Sequence, residues 1–142
     1  MISTAHFHPM LVHFPIALVV LGFMAEVVLL FFKKEPGLFA TGFYLLIAGT
    51  LSALAALLAG VFFTPEMSGA ASEIQEIHEL FAWITLGTLL AASVLRVFLY
   101  FKKTENTGLK RIALVLYCLG AIAVSITGFY GGTLVYDYMM PI

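Results

Sequence analysis

The chain is poor in charge. Of its 142 residues 11% are charged, against roughly 25% in an ordinary soluble domain. Two long stretches, 38–63 and 112–136, carry no charge at all. A single cysteine, Cys118, excludes an internal disulfide. Phosphate-cradling glycine loops and basic nucleic-acid stripes are missing, so no nucleic-acid partner is expected. The N-terminus lacks a basic segment and a small-residue cleavage site, so no cleavable leader is expected and the first helix itself is the insertion signal.

What is present is apolar surface, with 62% hydrophobic residues. Four apolar stretches cut the chain, at 9–32, 38–63, 80–101 and 112–136. A bilayer core of about 30 Å needs roughly 20 apolar residues per helix, and each stretch meets that length. The sequence therefore predicts an all-α membrane protein: one transmembrane domain over 1–142, folded as a four-helix up-down bundle. Helices are expected at about 9–32, 38–63, 72–101 and 112–136. The third starts ahead of its apolar run because Ser72 and Gln75 read as a capping box with Ser72 as N-cap. Pro9 suits a first helical position, and Pro15 is expected to kink helix one just past His13.

The few charges are sorted. All seven Lys and Arg lie in or beside the connections after stretches one and three: Lys33, Lys34, Arg96, Lys102, Lys103, Lys110 and Arg111. Positive charge stays cytoplasmic, so both termini and the 64–79 connection are expected outside, in the periplasm of a bacterial inner membrane. The acidic outer connection, with Glu66, Glu73, Glu76 and Glu79, reads as an ordinary solvated loop. Phe129, Tyr130, Tyr136 and Tyr138 suit an interfacial aromatic belt. Small residues recur in helix two (Gly49, Ala53, Ala56, Gly60) and helix four (Gly120, Ala121, Ser125, Gly128, Gly132), as close helix packing in lipid requires.

All four histidines, His6, His8, His13 and His78, fall on the predicted outer side. A faint repeat aligns HFPIALVVLG (13–22) with HELFAWITLG (78–87), each followed by Phe-Lys-Lys and a glycine-rich helix. In that register His13 and His78 are equivalent, on helices that lie diagonally in an up-down bundle. Two such imidazoles match the axial ligands of a b-type haem. The competing interpretation is that each anchors a helix end. The haem reading meets one objection: the outer side offers no Lys or Arg for haem propionates, leaving His6 or His8. A different chemistry is offered by HFHPM: His6, His8 and Met10, with Met67, Met139 and Met140 nearby, suit copper. Zinc is disfavoured, because no Cys joins the cluster. Glu26 and Arg96 are the two charges inside helices, at similar depth on helices one and three, and are expected to form an interhelical ion pair; the alternative is that Arg96 snorkels to the cytoplasmic surface and Glu26 is protonated.

The segment HPMLVHFPIALVVLG (8–22), with His78, Arg96 and GGTLVY (131–136), resembles an uncharacterised bacterial family of four-helix predicted membrane proteins, a domain of unknown function. The resemblance covers nearly the whole chain. YDYMMPI departs from the family's glycine- and valine-containing end. The association of such proteins with respiratory and cytochrome-type genes implies a redox setting, and the resemblance carries over His13 and His78 as ligand positions, with His8 next. The combined expectation is bis-histidine haem b near the outer face, exchanging electrons with quinol or a periplasmic cytochrome, in a monomer or homo-oligomer. The alternative is a copper-binding or cofactor-free structural membrane protein.

Overall fold

The structure is a computed structural model and describes residues 7–32 and 35–138. His6, Lys33, Lys34, Met139 and Met140 lie outside the described residues. The order is α1 (Phe7–Leu11), α2 (His13–Phe31), α3 (Pro36–Phe63), α4 (Ala70–Lys102) and α5 (Thr107–Tyr136), with no strand among the described residues. Four helical units are long and apolar enough to cross a membrane: Phe7–Phe31, Pro36–Phe63, Ala70–Lys102 and Thr107–Tyr136. Large apolar side chains cover the outer face; Leu51, Val61, Trp83, Val94 and Phe101 are all more than half exposed. Such a surface is matched to lipid, where helix faces have no water to avoid.

Helix ends follow local chemistry, in two places differently from expectation. Helix one is broken at Val12, one turn ahead of Pro15, so α1 and α2 are separate segments. Pro15 sits in the first turn of α2, where a missing N–H costs nothing. Ser72 is not an N-cap. Gly69 holds that position with φ 68°, a conformation that glycine adopts without strain, and α4 starts at Ala70. The Ser72 hydroxyl donates to the Gly69 carbonyl, while Gln75 reaches back to accept from the Met67 N–H at 2.8 Å. α5 starts ahead of its apolar run because the Asn106 side chain accepts from the Leu109 N–H at 3.0 Å.

α2 packs mainly on α3 and α4 mainly on α5, while α3 also meets α4 and α2 meets α5. The four form a closed up-down ring with α2 and α4 on one diagonal. Val19, Leu46, Leu89 and Tyr117, one from each helix, are fully buried at its centre. Threonines join the helices: Ser93 and Thr50 hydroxyls are 2.8 Å apart between α4 and α3, and Thr85 donates to Thr127 between α4 and α5.

The internal repeat is real in the contacts, but in another register. Val19 packs on Gly49, and Leu89 packs on Gly120. Residues of the first and third membrane helices are thus matched 70 apart, and those of the second and fourth 71 apart. The expected alignment of 13–22 with 78–87 is displaced by five residues. Its two glycines confirm the displacement. A Cβ on Gly22 would run into Tyr117 and Leu45, whereas Gly87 faces outward with nothing within 4 Å. Within the small-residue stripes, Gly49, Ala53, Ala56, Gly120 and Ala121 are buried, but Ser125 is exposed and Gly132 has no neighbour in reach.

These glycines make a paired prediction. A Cβ at Gly49 would stand 2.7 Å from Val19 Cγ2 and 3.4 Å from the Val19 backbone nitrogen. Because the valine is stiff and its backbone cannot retreat, Gly49→Ala should lower stability by about 1–3 kcal/mol. Gly87→Ala should stay within about 0.5 kcal/mol of wild type. Unfolding of the purified variants in detergent checks both; equal effects would contradict the assigned packing.

Candidate functional site

Near each end of the bundle, polar side chains of the two halves meet. At the end that holds the 64–69 connection, the rings of His8 and His78 meet with centroids 5.9 Å apart and planes at 86°. Each ring is fixed the same way. His8 Nδ1–H donates to the Ala56 carbonyl at 2.9 Å, and the ring lies against Gly60. His78 Nδ1–H donates to the Thr127 carbonyl at 2.9 Å, and the ring lies against Gly131. A Cβ on either glycine would stand 3.0 Å from the imidazole Cε1, so glycine is what lets the ring into the helix groove.

The acceptors decide the tautomer. A carbonyl only accepts, so in the neutral ring the proton is on Nδ1 and the lone pair is on Nε2. Neither Nε2 has a hydrogen-bond partner among the described residues. Both imidazoles are therefore oriented through one nitrogen and chemically open at the other. A backbone carbonyl behind Nδ1 is the arrangement that steadies a metal-ligating histidine and raises its basicity.

The structure thus brings His8 to His78, where the sequence pointed to His13. His13 is exposed, and its Nδ1–H donates to the Pro9 carbonyl at 2.7 Å, one turn back at the Val12 break. The 70-residue register makes the reason plain: His8, not His13, is the equivalent of His78. Of the copper-type cluster, only His8 stands at this contact among the described residues. Met10 is exposed, Met67 belongs to the 64–69 connection, and His6, Met139 and Met140 lie outside the described residues. No group of three or more His, Cys, Asp or Glu poised to hold a metal occurs among the described residues.

At the other end, Arg96 Nη2 donates to Glu26 Oε2 at 2.6 Å, joining α2 to α4 across the diagonal. The side chains are 10% and 6% exposed, so the pair is screened from solvent. Gly42 gives the carboxylate its space, since a Cβ there would stand 2.5 Å from Glu26 Oε1. Residues 26 and 96 are again 70 apart. Eighteen residues separate His8 from Glu26 and His78 from Arg96, which is about 27 Å of helix. The two cross-bundle contacts therefore stand nearly a hydrocarbon thickness apart.

With this geometry in view the family model can be placed on the chain, matching residues 4–141. The chain belongs to DUF2231, described as predicted membrane proteins. No curated protein and no solved structure matches it. Nearly all of this DUF2231 chain, including both cross-bundle contacts, falls within the family match.

Loss of one partner of the buried ion pair should be costly. Arg96→Leu leaves the Glu26 carboxylate unpaired in an apolar core and should destabilise by about 3–5 kcal/mol. The double variant Glu26→Leu/Arg96→Leu should recover most of that loss. Chemical denaturation of the set gives the coupling energy; additive losses would show that the two residues act independently.

Proposed function

We propose that this protein is a membrane redox carrier whose metal centre is ligated by His8 and His78. One observation carries the reading: two imidazoles face each other across the bundle, each held by an Nδ1–H to carbonyl bond that leaves Nε2 free. Histidine within a membrane bundle is expensive to leave without a purpose, and two at one level from opposed segments would supply two imidazole ligands to one group. Haem b is the group this donor set fits in an electron-transfer protein, and it supplies reversible one-electron chemistry at iron. The chain's part is to hold both rings in a fixed tautomer and orientation and to keep water from the centre.

The surroundings define how such a group would be admitted. Phe7 packs on Phe63 with centroids 6.1 Å apart, and Phe81 stacks on Tyr130 at 6.4 Å. A macrocycle needs room between these walls. Phe7 is the side chain suited to give way, because it is exposed and its movement leaves the His8 bond to Ala56 in place. A second reading draws on the same two rings: a single copper ion held by both open Nε2 atoms would need no space for a macrocycle.

Topology completes the proposal. Lys102, Lys103, Lys110 and Arg111 cluster at the Glu26–Arg96 end, so that end belongs in the cytoplasm of a bacterial inner membrane. The His8–His78 end then faces the periplasm, with both termini. Quinol or a periplasmic cytochrome is the class of partner able to reach a centre at that depth.

Purification in detergent after expression with added haem precursor, followed by reduced-minus-oxidised visible spectra and metal analysis, tests this. A b-type spectrum is expected in wild type and in His13→Ala, and is expected to vanish in His8→Ala and in His78→Ala. A colourless protein with one copper, lost in the same two variants, would select the second reading. A colourless, metal-free wild type would end both.

A further inference from the structure

Three buried polar atoms near the cytoplasmic-side ion pair have no partner among the described residues: Glu26 Oε1, Arg96 Nε and Tyr117 Oη. They come from α2, α4 and α5, and none belongs to the histidine site. Glu26 is 5% exposed and Tyr117 is fully buried. Buried groups of this kind are nearly always satisfied, by protein or by ordered water, because an orphan keeps its full desolvation cost with nothing to offset it.

The orphans share one neighbourhood. The ion pair is one-armed: Arg96 uses Nη2 and Glu26 uses Oε2, leaving the adjacent Nε–H and Oε1 open on the same two groups. The Tyr117 hydroxyl lies over Gly22, in the space where a Cβ would otherwise be. Gly22 and Glu26 are one turn apart on α2, so hydroxyl and carboxylate address the same stripe. One turn rises about 6 Å, so the two positions are close neighbours along α2.

We propose that a single ordered water is bound in the core between Glu26, Arg96 and Tyr117. Its chemistry matches the orphans. Water donates to Oε1, which can only accept. It accepts from the Arg96 Nε–H, which can only donate, and from the Tyr117 O–H. Three hydrogen bonds to otherwise unsatisfied buried groups is the usual condition of an internal water. The space that glycine leaves at positions 22 and 42 is taken by the Tyr117 hydroxyl and the Glu26 carboxylate, which brings both polar groups into the core. The titratable and charged groups facing the site are Glu26 from α2, Arg96 from α4 and Tyr117 from α5, while α3 presents Gly42. The water makes the ion pair a four-part polar unit that ties three helices, and gives the Tyr117 hydroxyl a reason to be buried.

A structure of the full chain in lipid or detergent, at a resolution that reveals ordered waters elsewhere, tests the site. Density within hydrogen-bond distance of Glu26 Oε1 and of at least one of Arg96 Nε and Tyr117 Oη is expected. In Tyr117→Phe the water should persist on its other two partners. Infrared difference spectra between H2(16)O and H2(18)O should show an internal-water band in wild type that is lost in Glu26→Leu/Arg96→Leu, which removes two partners together. Absence of the density, with Arg96 turned to a two-armed contact or Tyr117 donating straight to Glu26, would overturn the proposal. An isotope-sensitive band unchanged in the double variant would do the same.

Discussion

A carboxylate in the apolar core of a membrane bundle must find a partner, and Glu26 finds Arg96 across the diagonal. The rest of the arrangement is consistent only with that contact. Pairing residue 26 with residue 96 sets α2 against α4 in a register of 70 residues. The same register puts Val19 and Leu89 in one buried core, and His8 opposite His78 eighteen residues from the ion pair. In lipid there is no water-driven force to hold apolar helices together, so close packing and a few polar contacts decide register. Here glycines supply the closeness. Gly49 and Gly120 admit the core side chains, Gly42 admits the carboxylate, and Gly60 and Gly131 admit the two imidazoles.

The consequence for chemistry lies in the doubling. Because each half repeats the same helix-to-helix contacts, anything one half presents toward the centre meets its equivalent from the other. At one end the equivalents are alike, two histidines, and a matched pair of imidazoles results. At the other end they are unlike, an acid and a base, and an ion pair results. The asymmetry at positions 26 and 96 favours union of the two unlike hairpins, since two copies of either would bring like charges together.

Much of this was legible in the sequence, for definite reasons. Charge-free runs longer than a bilayer requires read as membrane helices, and isolated charges at matching depth on helices one and three pointed to a pair, against a snorkelling Arg96 and a protonated Glu26. Two features misled. His13 lies inside the motif HFPIALVVLG, whose likeness to HELFAWITLG drew the alignment five residues out of register; Glu26 against Arg96 held the correct offset all along. Ser72 and Gln75 have the spacing of a capping box, but Gly69 can enter the positive-φ region and so captures the helix start. The break at Val12 left no composition signal, since Pro15 needs only the absence of one N–H and can sit within a first turn. The role of Tyr117 was hidden for another reason: a tyrosine in an apolar run looks like any core aromatic until its hydroxyl is seen over a glycine.

The central claim is that the two halves pack 70 residues apart, so that His8 faces His78. Cysteine cross-linking reads this directly. In a Cys118→Ser background, His8→Cys/His78→Cys should be joined within one chain by a short bifunctional thiol reagent in native membranes, while His13→Cys/His78→Cys should not. The opposite pattern, with position 13 joined to 78 and position 8 free, would contradict the account.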